Sequence, residues 1–239
     1  MENLVVITGA GISVESGIQP FRGKNGVWEE NPQEMATYRM FQKDPSHFLT
    51  WYYHRFVSCK EALPNITHET LAQKNIKVIT QNVDNLHRKA NHPLENLVEI
   101  HGNINYKRKL HATLIQELEI ADWNSLKENN IEKEVLEMFD ISKEGFISDA
   151  SSRPHVLLFD EYYTELYQYS KALSWVLNAD TLLFMGTSNS VGFTAGALQT
   201  AIQKNKKVIV VDPNPAPSFH HLQVELFTMN ATDYCKQYF

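Results

Sequence analysis

Only two cysteines, Cys59 and Cys235, occur in the 239 residues. Two thiols cannot build a disulfide framework or, alone, a four-cysteine zinc site, so a reducing compartment is the expected setting. Long apolar runs are also missing. Val156-Leu-Leu-Phe159 and Thr181-Leu-Leu-Phe-Met185 have the length of a strand, far below the roughly 20 residues that span a bilayer. At the start, Val5-Val-Ile7 runs straight into a glycine turn with no basic segment before it, so no secretory leader is expected. Positive charge is not in excess either. Twenty-two basic against 28 acidic residues give −6, which argues against a general nucleic-acid binder and leaves room for a local basic pocket. The apolar fraction of 43% and charged fraction of 21% are those of an ordinary globular chain, which excludes intrinsic disorder. A cytoplasmic globular protein without a membrane or nucleic-acid partner is the expectation, with one large domain or a main domain and a small lobe.

What is present alternates. Leu4-Val-Val-Ile7 is a β-branched run ending in Gly9-Ala-Gly-Ile-Ser13, as a buried parallel strand does when it turns into a helix. Further strand-like runs are Val78-Ile79, Leu97-Val-Glu-Ile100, Thr181-Leu-Leu-Phe184 and Lys207-Val-Ile-Val-Val211. Helical patterns lie between them at 46–63, 163–177 and 194–203. The alternation predicts an α/β fold with a doubly wound parallel sheet and a ligand beyond the strand C-termini. The charged, helix-prone stretch 105–152 breaks the rhythm and reads as a smaller, mainly helical inserted lobe. The main domain is then 1–104 together with 153–239.

Five constellations carry chemistry. Gly9 and Gly11 after a strand let the backbone approach a pyrophosphate at a helix N-terminus. The ordinary dinucleotide fingerprint wants a third glycine where Val14 stands, which disfavours a common dehydrogenase. Arg22, on the loop Pro20-Phe-Arg-Gly23, is a candidate phosphate partner or a plain surface arginine. Gln81-Asn-Val-Asp84 follows a strand and offers amides and a carboxylate to neutral polar groups such as a ribose or a carboxamide; the same residues also serve as helix caps. His101, at the end of another strand, suits general-base work, although among ten histidines a lone one is as readily structural. Gly186-Thr-Ser188 supplies a second cradle of amides and hydroxyls, or a simple strand-to-helix turn. The turn Asp212-Pro-Asn-Pro215 could hold an adenosine.

In this order and spacing the pieces resemble the sirtuin family. The matches are Gly9-Ala-Gly-Ile-Ser13, Ser16-Gly-Ile18, Phe21-Arg-Gly23, Gly26-Val-Trp28, Gln81-Asn-Val-Asp84, His101-Gly102, Gly186-Thr-Ser188 and Val191, with Pro64-Asn65, His68 and Tyr234-Cys235-Lys236 in support. The resemblance implies a Rossmann-like domain and an enzyme that consumes NAD as it removes an acyl group from lysine, releasing nicotinamide and O-acyl-ADP-ribose. It makes His101 the catalytic base with Asn82 beside it. Gln81, Asn82 and Asp84 would hold ribose and nicotinamide. Ala10, Phe21 and Arg22 would belong to the loop that closes over NAD, and Gly9, Gly11 and Ser13 would also bind the cofactor. Gly186, Thr187 and Ser188 would hold the phosphate and ribose side, and Asn214 and Cys235 would lie nearer the adenosine. An acyl-lysine protein or peptide is the implied partner. Tyr52 and Arg55 have the Tyr-x-x-Arg spacing by which some sirtuins recognise acidic acyl groups such as succinyl. At i and i+3 they share a helix face, where the arginine can grip a carboxylate or simply snorkel from an aromatic core helix.

The sequence also departs from the family. The two Cys-x-x-Cys pairs of its structural zinc are missing from 105–152, so no metal is expected, and packing around Leu114, Leu118, Trp123, Leu136 and Phe139 is the expected substitute. The stretch Arg153 to Glu161 resembles the strand that pairs with the substrate peptide, with Phe159 and Glu161 as substrate-binding residues. The usual glycine between those two is Asp160 here, and Tyr162-Tyr163 beyond it could narrow the channel. The alternatives are a sirtuin-type ADP-ribosyltransferase or NAD hydrolase, and a module that senses NAD or ADP-ribose without turning it over.

Overall fold

The computed structural model describes residues 3–19, 32–189, 192–219 and 223–239. Phe21 and Arg22, with the motif Gly26-Val-Trp28 and Val191, lie outside the described residues. Nine strands and nine α-helices occur among those described. In chain order they are β1 (Leu4–Thr8), α1 (Pro32–Met35), α2 (Tyr38–Lys43), α3 (Pro45–Lys60), α4 (Ile66–Gln73), β2 (Lys77–Thr80), α5 (Leu86–Lys89), β3 (Leu97–Glu99) and β4 (Gly102–Lys109). There follow β5 (Glu119–Ile120), α6 (Ile131–Met138), β6 (Ser152–Val156), α7 (Tyr169–Asn178), β7 (Thr181–Met185), α8 (Gly192–Gln203), β8 (Lys207–Val211), β9 (Glu225–Phe227) and α9 (Ala231–Tyr238).

Six strands form one parallel sheet in the order β3-β2-β1-β7-β8-β9. The β-branched and aliphatic runs of β1, β7 and β8 are buried because helices cover both faces of a parallel sheet, leaving no polar side to alternate with. One face packs Val5, Ile7, Leu182 and Phe184 against Ala172, Val176, Leu198 and Ala201 of α7 and α8. The other packs Val6, Leu183 and Ile209 against Ile12, Leu71 and Tyr234. The chain leaves β1 for β2 on one side and returns through β7 on the other. That switch point opens a crevice beyond the C-terminal ends of β1, β2 and β7.

The expectation of a mainly helical insert is corrected by a second, antiparallel sheet, β5-β4-β6. Within 105–152 the only α-helix is α6, accompanied by single turns of 3₁₀-helix. The charges at the start of the insert have partners supplied by the fold. Lys107 Nζ donates to the Met138 carbonyl at 2.9 Å, Lys109 pairs with Asp140 at 2.7 Å, and Arg108 faces Glu161 at 3.8 Å. The insert also shares a core with α2 and α3, which the sequence places in the main domain. Phe41, Phe48, Tyr52 and Phe56 join Trp123, Leu136 and Phe139 in one cluster. Trp123, 1% exposed, stacks on Phe56 with ring centroids 5.9 Å apart, and its indole N–H donates to the Ile104 carbonyl at 2.7 Å. Of the five residues expected to pack here, Trp123, Leu136 and Phe139 do so, whereas Leu114 is exposed and Leu118 lies outside the cluster. Among the described residues, no three His, Cys, Asp or Glu side chains converge as a metal site requires, and no helix is long and apolar enough to cross a membrane.

Candidate active site

Four strand ends meet at the crevice. After β1, residues Ala10–Ser16 wind as a 3₁₀-helix. The Gly11 N–H donates to the Gly186 carbonyl at 2.9 Å, and the Gly9 N–H to Met185 at 3.1 Å. A Cβ on Gly9 would stand 2.7 Å from the Gly186 oxygen, and one on Gly11 would stand 2.6 Å from the Gly186 Cα. These glycines are therefore required by the contact between the two loops, whatever ligand they cradle.

The residues after β2 tie this turn to the neighbouring strands. The Asn82 amide donates to the Gly9 carbonyl and to Ser13 Oγ, both at 3.1 Å. The Ser13 hydroxyl in turn donates to Asp84 at 2.7 Å. The second Asp84 oxygen accepts from the Leu86 N–H at 3.0 Å, so Asp84 ties the turn after β1 to the start of α5. The Gln81 side-chain amide donates to the Thr8 carbonyl at 3.2 Å and to Thr187 Oγ1 at 2.9 Å. Asn65 donates to the Ile12 carbonyl and to Ser16 Oγ, closing the far end of the turn.

His101 follows β3 and is pinned by the main chain. The Ile100 N–H donates to Thr80, and the Leu157 N–H to the His101 carbonyl. Gly102 then turns with φ +83°, where a Cβ would fall 2.1 Å from the His155 oxygen; only glycine lets β4 and β6 cross so closely. His101 Nδ1 lies 3.1 Å from the Gln81 carbonyl. A carbonyl can only accept, so Nδ1 carries the proton and Nε2 keeps the lone pair. Burial pushes the imidazole down to about 4, with the Gln81 hydrogen bond opposing, so the ring is neutral at pH 7. Tyr163, which the sequence suggested only as a channel-narrowing ring, places its hydroxyl 3.2 Å from Nε2. Nothing in a tyrosine 62 residues away could have signalled that contact.

Other expected residues fall outside this group. Ser188 and Asn214 are exposed beyond β7 and β8, with the Asn214 N–H bonded to Asp212. Cys235 is a core residue of α9, its thiol pushed up to about 11 by burial, so its side chain is not presented to an adenosine. Tyr52 is 2% exposed and packs on Phe48 and Trp51. Burial lowers the pKa of Arg55 from its ordinary value. Glu161, expected to meet substrate, is spent internally. It accepts from Arg153 Nη2 at 2.7 Å and from the Leu158 N–H at 3.0 Å, with Arg153 only 1% exposed. Phe159 is half exposed and its N–H is bonded to Ala36. The Asp160 carboxylate accepts from the Tyr38 and Arg39 N–H groups at 2.6 and 3.1 Å, capping α2, which explains an aspartate where a glycine was expected.

The sequence profile of the Sir2 family matches residues 9–192. The chain belongs to the Sir2 family. It is 32% identical to an NAD-dependent protein deacylase of Bacteroides thetaiotaomicron over 98% of this chain and 94% of that protein. It is 36% identical to the NAD-dependent deacetylase sir2E of Dictyostelium discoideum over 87% of this chain but only 64% of that longer protein. A solved Sir2 homologue–NAD complex superimposes with a TM-score of 0.79 at 28% identity, covering 98% of this chain and 86% of that one. The Rossmann-like fold of this Sir2-family chain is thereby placed beside that of solved members.

Proposed function

We propose that His101 is the general base and Asn82 its neighbour at the reacting ribose in the NAD-dependent protein-lysine deacylation that this Sir2-family chain carries out. The observation that carries the proposal is the Nε2 lone pair of a neutral, tautomer-fixed imidazole at the junction of β2, β3 and β6. The donor set fits NAD. Asn82, Ser13, Asp84, Gln81 and Thr187 are neutral amides and hydroxyls with a single carboxylate, the complement of ribose hydroxyls and a carboxamide. The side-chain-poor turn Gly9-Ala-Gly11 lets the diphosphate approach the main chain closely, although the Gly9 and Gly11 N–H groups are themselves bonded to Met185 and Gly186. NAD, when bound, supplies the electrophilic ribose carbon and nicotinamide as leaving group.

The chain's own residues position, exclude water and move one proton. Asn82 and Ser13 orient the ribose, and Asp84 holds Ser13 in line. His101 Nε2 accepts the proton of a ribose hydroxyl, and the Gln81 carbonyl steadies the imidazolium through Nδ1–H. Gly9, Ala10, Gly11, Gly186, Thr187 and Ser188 take the diphosphate and adenosine-ribose side, with Asn214 at the outer edge. The acceptor is an acyl-lysine protein or peptide. Tyr52 and Arg55 serve a preference for acidic acyl chains, because the guanidinium can bind a distal carboxylate in a bidentate way.

Mass spectrometry of an acetyl- or succinyl-lysine peptide incubated with NAD tests the reading. Loss of the acyl group together with O-acyl-ADP-ribose supports it. ADP-ribosylated peptide, or ADP-ribose with an intact acyl-lysine, supports a transferase or hydrolase instead.

A further inference from the structure

The role proposed for His101 depends on what reaches its Nε2 atom, and in this chain a side chain is already there. With the proton fixed on Nδ1, the 3.2 Å contact has one sense: the Tyr163 hydroxyl donates to the Nε2 lone pair. The ring is fixed from several sides. It stacks on Tyr169 at 5.6 Å and 17°, leans on Phe193 at 6.0 Å, and lies over the His101 imidazole at 6.0 Å and 23°. Its neighbour Tyr162 is 88% exposed, so the placement belongs to Tyr163 and not to a generally sticky aromatic pair.

We propose that Tyr163 is a positioning residue for this reaction: its hydroxyl holds the hydrogen-bonding position on His101 that a ribose hydroxyl takes during turnover, and yields it by exchange. The inference rests on His101 as the base. In the ligand-free protein the hydroxyl keeps a buried lone pair satisfied and the imidazole in one orientation, so the base is aligned before NAD arrives. The incoming ribose hydroxyl then replaces one O–H···N bond by another and gains little net binding from it. Binding is weaker than it would be to a bare imidazole, and the energy withheld from the ground state appears as alignment in the transition state.

Tyr163→Phe tests this while keeping the ring and its stack. In the ligand-free protein at pH 7, the His101 Nε2 nitrogen resonance should move to the position of an unbonded imidazole nitrogen while Nδ1–H is unchanged. Affinity for ADP-ribose should rise about three- to tenfold, the range one neutral hydrogen bond commands, and kcat should fall. Tyr162→Phe should leave all three readouts where they are. An unmoved Nε2 resonance with unchanged ADP-ribose affinity would make Tyr163 a packing residue and overturn the proposal. So would the same changes in Tyr162→Phe. A fully active His101→Ala would instead remove the base on which the inference rests. The resonance in the unloaded protein separates these two failures.

Discussion

The carbonyl of Gln81 accepts from His101 Nδ1 at 3.1 Å, so a residue of the β2 loop decides which nitrogen of the β3 histidine can act as a base. That bond and burial act on the same ring in opposite senses, and burial prevails, holding the imidazole at about 4. The neutral form is the competent one. Deacylation should therefore persist well below the ordinary histidine pKa of about 6.5 and fail only as the pH approaches 4. A kcat/KM profile on acetyl-lysine peptide checks this; an acid limb centred near 6.5 would mean that His101 is not the titrating base. The folded protein also carries His68 near 4 and His155 near 3, both through burial. Their depressed values make the unfolded chain bind more protons below pH 6.5, so stability is complete above that pH and declines as the pH falls toward 4.

Ser13 stands between Asn82 and Asp84 as acceptor from one and donor to the other. Ser13→Ala leaves both without that partner in a buried site, at a cost of roughly 1–3 kcal/mol. KM for NAD should rise by about an order of magnitude while the far-ultraviolet circular dichroism is unchanged. Titration with ADP-ribose measures the same loss directly, and an unaltered affinity would remove Ser13 from the site.

Arg55→Met distinguishes acyl recognition from packing. It should lower kcat/KM for succinyl-lysine peptide at least tenfold and leave acetyl-lysine turnover nearly intact, because only the former offers a carboxylate. Equal loss on both peptides would place Arg55 in the scaffold of α3.

Trp123 anchors the core that joins α3 to the insert. Trp123→Ala should destabilise the protein by about 3–5 kcal/mol, visible as a large drop in Tm. A strong chelator should leave the wild-type Tm unchanged if aromatic packing takes the place of the family's zinc. Stoichiometric zinc in purified protein, or melting on chelation, would refute that substitution.

The inner strands of the central sheet were legible because they are buried on both faces, whereas the exposed edge strand β9 was not. Val5-Val-Ile7 and Val208-Ile-Val-Val211 admit few other readings once glycine turns bound them. The inner site residues were legible because short polar motifs sit at strand ends, where the fold converges. Strand β4 was not. Its run Lys107-Arg-Lys109 reads as solvated, and only the folded chain supplies Met138, Glu161 and Asp140 as partners. Glu161 misled for the same reason, since its buried arginine partners are folded into reach through β4 and β6. The Tyr163 contact depends on where the chain after β6 passes His101, a relation that no local pattern carries.

Nicotinamide release from NAD, followed for wild type and His101→Ala with and without acyl-lysine peptide, tests the account most directly. The account predicts peptide-dependent release by wild type, coupled one-to-one to deacylation, and a His101→Ala variant that loses deacylation by several orders of magnitude. Release without peptide that ignores His101, or deacylation that survives its removal, would contradict it.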